Sequence, residues 1–286
     1  MLAGSSFAKH PSNYRASSRA AGRVFNRAET SLLLVTMLSE ETRAPTAAII
    51  VIGDEVLSGK VEEQNARFLV RELRQLGVGV RRIEVIPDVP AEIIASVRAA
   101  SSTFDHVFTS GGIGPTHDDV TIGAIAAAFS VSVVRNAELE ACIRQAAGER
   151  LFERDLRMAD IPQGAALLYG EGGLHTRWPV IAYRNVYILP GVPSILRRKF
   201  AMIRDRFAAP PFFSRAVFSR DGEGAIAHVL DKAAADFPSV AIGSYPHLDA
   251  ADHKVLITLD GRDEALVVSA CAQIVAELGS AVVRVE

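Results

Sequence analysis

From Thr46 onward, short apolar runs alternate with amphipathic stretches, and this alternation restricts the fold more than any other feature of the chain. Ala47–Ile52 (AAIIVI) has the length and composition of a buried strand. Glu62–Leu76 reads as an amphipathic helix, with Phe68, Leu69, Leu73 and Leu76 at helical spacing and Gly77 as its stop. Val80–Ile86 follows as a strand, Pro90–Ala100 as a helix, Phe104–Ser110 as a third strand and Val120–Phe129 as a third helix. Strands alternating with helices of this length imply βαβ units and a largely parallel sheet. Right-handed crossovers then place helices on both faces.

Further along, residues 138–160 read as helix. Val180–Tyr183 and Val186–Leu189 pair around Arg184-Asn185, and Pro193 opens a helix that runs to Phe207. Past Pro210-Pro211 the pattern changes to strand (Ala216–Ser219), helix (Glu223–Phe237), strand (Val240–Ser244), strand (Val255–Asp260), helix (Asp263–Leu278) and strand (Ala281–Val285). That β-α-β-β-α-β order is the ferredoxin-like split unit. The expected architecture is a three-layer α/β domain over residues 45–208, with a mostly parallel sheet, and an α+β ferredoxin-like subdomain over 209–286.

Residues 1–44 differ in kind. No acidic residue occurs before Asn26, Lys9, Arg15, Arg19 and Arg23 are basic, and Ser is frequent. Such a segment buries too little apolar surface to fold alone, so a flexible tail is expected. An organelle transit peptide shares this composition, and a translation start at Met37 would remove most of it.

A formal net charge of −2, with no basic stripe in the body of the chain, argues against nucleic acid or an acidic membrane surface as the main partner. Two cysteines, Cys142 and Cys271, make neither a disulfide framework nor a zinc site, and a reducing, cytoplasmic compartment is expected. No apolar run approaches the length of a bilayer crossing.

The third strand leads into Gly111-Gly112-Ile113-Gly114-Pro115-Thr116-His117-Asp118-Asp119. A glycine loop between a strand and a helix brings backbone close to a ligand, and the N–H groups of the first helical turn favour an anion there. Either Asp alone is as readily a helix cap. Two adjacent carboxylates repel a phosphate unless a divalent cation, a hydroxyl or an amine offsets them. The first strand runs into Gly53-Asp54-Glu55 and the second into Pro87-Asp88. Parallel strands bring these ends to one edge, where ligands of open α/β sheets bind. Asp54, Glu55, Asp88, Asp118 and Asp119 therefore converge as candidates for a Mg²⁺-type ion shared with phosphate oxygens.

The glycine pattern is neither a P-loop nor the GxGxxG of a dinucleotide fold, and no Ser-His-Asp arrangement is visible. Ser58 and Ser110 read as loop hydrogen-bonders. His117 is the one histidine placed for catalysis. His106 lies in a strand, while His175, His247 and His253 sit in loops without metal-site spacing.

Ile52-Gly53-Asp54-Glu55-Val56-Leu57-Ser58-Gly59, then Asn65, then Gly111 through Thr121, resemble the molybdopterin-binding domain in the form found in the competence/damage-inducible CinA family. Pro162, Gly164-Ala165 and Leu189-Pro190-Gly191-Val192-Pro193 continue the match, which covers residues 46–205. Arg184-Asn185-Val186-Tyr187, Leu196-Arg197-Arg198 and Gly243-Ser244-Tyr245-Pro246 resemble the corresponding region of eukaryotic FAD synthases. Ile195 replaces the Glu usual after PGVPS, and Tyr169-Gly170-Glu171-Gly172-Gly173 replaces an Asn-Pro-x-Gly segment. The chain is expected to lack both the deamidase domain of CinA proteins and the FAD-forming domain of FAD synthases.

The resemblance implies chemistry at a phosphoanhydride next to adenosine: metal-dependent cleavage of ADP-ribose or FAD, or molybdopterin adenylyl transfer, or ligand binding without turnover. By motif alignment Asp54 and Asp119 match the two family acids, and Asp118 stands where adenylyltransferases commonly carry Arg, which favours hydrolysis. The implied catalytic residues are Asp54, Glu55, Asp119 and His117. Phosphate contacts fall to Gly53, Ser58, Gly59, Asn65 and Ser110, to Gly111, Gly112, Gly114, Pro115, Thr116 and Thr121 of the loop, and to Pro190 and Gly191. Metal ligands would be Asp54, Asp118, Asp119 and Asp88, holding Mg, Mn or Co. Molybdopterin is an alternative ligand, and the family's oligomers leave a homo-oligomer open.

Overall fold

The computed structural model describes residues 44–170, 178–247 and 250–286; the expected tail before Ala44, His175 and residues 171–173 lie outside them. Thr46–Ile52 forms β1, buried on both faces, which is why its sequence is a continuous apolar run rather than an alternating one. It lies inside a six-stranded sheet with β2 (Gly79–Ile86), β3 (His106–Ser110), β6 (Ala166–Leu168), β7 (Val180–Tyr183) and β8 (Val186–Leu189), in the order β2-β1-β3-β8-β7-β6. The first four are mutually parallel, while β7 and β6 join antiparallel at the far edge.

Alternate residues of β1 serve two different cores. Ala48, Ile50 and Ile52 pack with Ile93 and Val97 of α3 (Pro90–Thr103) and with Ala124 and Ile125 of α4 (Thr121–Ala128). Ala47, Ile49 and Val51 pack with Leu69 and Leu73 of α2 (Asn65–Gln75) and with Leu196 and Phe200 of α6 (Pro193–Ile203). Helices on both faces of a mostly parallel sheet make this a three-layer α/β fold, as expected. A one-turn helix α1 (Asp54–Leu57) follows β1 directly.

One local expectation is corrected, and one small element leaves no mark in the sequence. The helix expected over 138–160 is α5 (Ala137–Ala147), ended by Gly148 at φ +57° and followed by separate 3₁₀ turns. Pairing between β4 (Val133–Arg135) and β5 (Asp160–Pro162) makes a small ribbon whose three-residue strands are too short to leave a periodic signal.

The C-terminal half builds a second sheet from β9 (Phe213–Ser219), β10 (Ala241–Pro246), β11 (Val255–Gly261) and β12 (Val282–Val285), all antiparallel in the order β10-β11-β9-β12. Helices α7 (Glu223–Asp236) and α8 (Glu264–Leu278) close its core around Val217, Ile257 and Leu259. This is the split βαββαβ topology. Arg262 donates to the carbonyls of Gly77 and Pro210 and stacks 3.6 Å from the Phe212 ring centroid, tying this sheet to the first. Contrary to the sequence expectation, Glu264–Ala281 meets the length and hydropathy needed to cross a bilayer, but Val267, Ala270, Cys271 and Ile274 pack into the subdomain core.

Candidate active site

Parallel β2, β1, β3 and β8 deliver their carboxyl ends to one edge of the sheet. Because β7 is antiparallel to β8, with Ile181 opposite Ile188, the residues just before Val180 reach the same edge. Loops from five strands therefore meet there.

The glycine loop is locked by its neighbours. Gly111 N donates to Leu189 O at 3.1 Å, Thr121 Oγ1 donates to Gly111 O at 3.0 Å and Thr121 N donates to Gly112 O at 3.0 Å. Gly111 and Gly112 adopt φ of +110° and +65°. The first N–H of α4 is thus engaged by the loop rather than free for an anion. The N–H groups of Gly112, Ile113 and Gly114 have no hydrogen-bond partner among the described residues.

Asn65, Ser110 and Thr121 are buried, and their side chains hydrogen-bond to the loop and the strand ends. Asn65 Nδ2 donates to Ser110 Oγ at 2.9 Å and to Gly191 O at 2.6 Å, pinning the ends of β3 and β8 together. Asn65→Ala strands both acceptors, and a loss of about 1–3 kcal/mol in denaturant unfolding is expected; an unchanged midpoint would show the pin to be redundant.

The acids divide into two sets. Asp119 accepts from Thr116 N at 2.8 Å and Thr116 Oγ1 at 2.6 Å, closing the loop, and its carboxylate oxygen lies 2.7 Å from where a Cβ on Gly114 would stand. Asp88 Oδ2 accepts from Asp54 N at 3.0 Å. Burial pushes the Asp88 carboxyl up, the Asp54 N–H opposes this, and the charges of Glu55, Asp54 and Asp118 push it further. Asp118 is held below the usual carboxylate range by the Thr116 hydroxyl, its own N–H and His117.

Several predicted residues stand away from any enclosed surface. The His117 side chain is 98% exposed, with Nδ1 3.8 Å from Asp118, itself 64% exposed. Ser58 Oγ is exposed and donates to Glu55 O at 3.3 Å, and Gly59 turns the chain at φ +72°. Among the described residues no three His, Cys, Asp or Glu side chains are spaced to hold a metal ion by themselves. The mutual repulsion around Asp88 nonetheless fits a hard cation bound through one or two carboxylates and completed by ligand phosphates. In the C-terminal subdomain His247 and His253 do come together, 2.9 Å apart, with Asp252 at 2.6 Å from His253.

Beneath the loop lies a cavity of about 710 Å³. Glu55, Gly111, Gly112, Gly114, Asp119, Pro190 and Gly191 line one part of it. Asp54, Asp88, Asp118, His117 and the remaining predicted contacts (Gly53, Pro115 and Thr116 among them) do not. The other walls are apolar, including Ile122, Trp178, Ile181, Ile188 and Met202, with two cations from α6, Arg198 and Lys199. Sequence reasoning missed Trp178, Lys199 and Met202. For Lys199 a signal existed: it falls in the inward stripe Leu196, Lys199, Phe200, Ile203 of an otherwise amphipathic helix.

The three-layer α/β fold, with a glycine loop and strand-end acids at one sheet edge, places the chain in the molybdopterin-binding-domain class. Residues 48–208, more than half the chain, match the family model described as "Probable molybdopterin binding domain", and residues 211–286 match "FAD synthase, middle domain". The chain is 36% identical over 244 residues to a "Probable FAD synthase" of Caenorhabditis elegans, covering 75% of this chain and 46% of that one. It thus spans less than half the length of that relative. A protein of Archaeoglobus fulgidus is 32% identical over 225 residues, covering 79% of this chain and 94% of its own. The crystal structure of CinA, of unknown function, from Thermoplasma acidophilum superposes with a TM-score of 0.52 at 30% identity, covering 57% of this chain and 98% of that one. The chain belongs to the molybdopterin-binding-domain family, in its CinA-like form close to FAD synthase.

Proposed function

We propose that this chain is a divalent-metal-dependent nucleotide diphosphatase that hydrolyses the P–O–P bond of a dinucleotide such as ADP-ribose or FAD. The observation that carries this reading is the juxtaposition of three unpartnered loop N–H groups with Glu55 and Asp119 on the wall of one cavity. Gly112, Ile113 and Gly114 would donate to diphosphate oxygens, with the glycines on either side of Ile113 adding no side chain to hinder the approach. Glu55, on the cavity wall, would hold a water and take its proton as the water adds to phosphorus and the bridging oxygen departs with the leaving phosphate. Asp54, Asp88 and Asp119 would hold a Mg²⁺, Mn²⁺ or Co²⁺ ion, which when bound neutralises charge developing on the phosphate oxygens. His117, whose side chain is 98% exposed, and Asp118, 64% exposed, are weaker candidates for base and metal ligand.

Pure protein incubated with ADP-ribose or FAD plus each metal should release AMP, and Glu55→Gln should lower the rate at least about a hundredfold. No release with any of the three metals would overturn the reading. The absence of a three-ligand metal group among the described residues favours one rival, a pterin- or nucleotide-binding module without turnover. Calorimetric binding of FAD without AMP release would establish it. Adenylyl transfer to molybdopterin is the third reading, supported by the family match.

A further inference from the structure

Lys199 is the one buried cation of the cavity. Its side chain is 8% exposed, and Nζ donates to Trp178 O at 2.6 Å and to Pro179 O. It forms no ion pair among the described residues. An ammonium has three donors, so among the described residues one N–H is left over once the two carbonyls are satisfied. The indole of Trp178 stands beside it, with Nζ 5.7 Å from the ring centroid. Ile181, Ile188, Ile195 and Met202 complete the wall on this side.

This is a poor site for a phosphate. A dianion at Lys199 would find one buried donor, with Arg198 of the same helix exposed, and would leave its other oxygens against apolar side chains, whereas the N–H groups of the glycine loop, unpartnered among the described residues, offer a proper cradle. A flat, largely apolar ring fits better: it stacks one face on the indole, lays the other against aliphatic side chains and needs a single acceptor at its edge.

We propose that Lys199 is the specificity-determining donor of this cavity, directing its remaining N–H to a carbonyl oxygen on the edge of a fused heteroaromatic ring. The ligand class is a ring with a carbonyl edge, flavin-like rather than adenine-like. The proposal rests on the reading that the cavity takes a nucleotide-type ligand, but not on hydrolysis. It gives Lys199 a role in choosing between the two substrates named above: the flavin end of FAD enters this half of the cavity, because its ring carbonyls are stronger acceptors for an ammonium than the ring nitrogens of adenine.

Riboflavin and adenosine are suitable probes because neither carries a phosphate or a scissile anhydride. At pH 6, where Lys199 is protonated and keeps its third N–H, riboflavin binding is read by quenching of flavin fluorescence and adenosine binding by calorimetry. Unmodified protein should bind riboflavin at least about tenfold more tightly than adenosine. Lys199→Met, which keeps an unbranched side chain of similar length, should weaken riboflavin at least about tenfold and leave adenosine within about twofold, the effect of removing one charged hydrogen bond. Failure of riboflavin to bind, equal affinity for both probes in unmodified protein, or equal loss of both in the variant would overturn the proposal. The first comparison needs no variant, so a folding defect in Lys199→Met leaves it decisive. Absence of AMP release would sink the hydrolase reading while leaving this result untouched.

Discussion

Gly111→Ala is expected to destabilise the protein by about 3 kcal/mol or more, lowering the melting temperature by on the order of 10 °C. Two effects add. At φ +110° the backbone occupies a region that L side chains rarely adopt. A Cβ would also stand 2.1 Å from Ile52 O, the carbonyl at the end of β1, where no flexible side chain can give way. Relief would require β1 and β3 to separate where Val51 pairs with Ser110. Gly123 in α4 is the control: nothing lies within 4 Å of the position its Cβ would take, and alanine there should be neutral or stabilising by up to about 1 kcal/mol. Thermal unfolding of both variants checks the contrast. If Gly111→Ala melts within a degree or two of the unmodified protein, the loop is not held as described.

The same glycine shows what is legible in one dimension. Its place after an apolar run and before a helical one identifies the loop, because the periodicity of strand and helix survives in the sequence. The convergence of Asp54, Asp88 and Asp119 on one sheet edge is also readable, since parallel strands leave no other arrangement for their ends. What each residue does there is not. Asn65 belongs to the family motif yet works as an internal pin between Ser110 and Gly191, a contact across 126 residues that no local pattern encodes. Thr121 likewise serves the loop backbone. His117 reads as catalytic because it lies among glycines, but its side chain points into solvent.

The far wall is the least legible part. Trp178 and Lys199 share no motif, and they meet only because β7 turns antiparallel and brings its first residues back to the edge. The resulting site is electrically divided. Glu55 and Asp119 lie on the wall near the ends of β1 and β3, and Arg198 and Lys199 on the wall formed by α6.

Lys199→Met should also change how stability depends on pH, and with a sign that follows from burial. Desolvation lowers the folded-state pKa of Lys199 to about 7 from an unfolded value of 10.5. Below pH 7 the group is charged in both states, and the folded state bears the full penalty of a buried ammonium. Between pH 7 and 10.5 the unfolded chain holds a proton that the folded protein has released, so rising pH favours folding and the penalty fades. The variant has no such group. Its stability relative to the unmodified protein should therefore be greatest at about pH 6–7 and decline with rising pH, by at most about 1.4 kcal/mol per pH unit. The carbonyls of Trp178 and Pro179 lose their donor at every pH, which offsets the whole curve without changing its slope. Urea unfolding of both proteins at pH 6, 7, 8 and 9 measures that slope directly. A difference that stays constant across this range would mean that Lys199 keeps its charge when folded, with the two carbonyls sufficient to hold it.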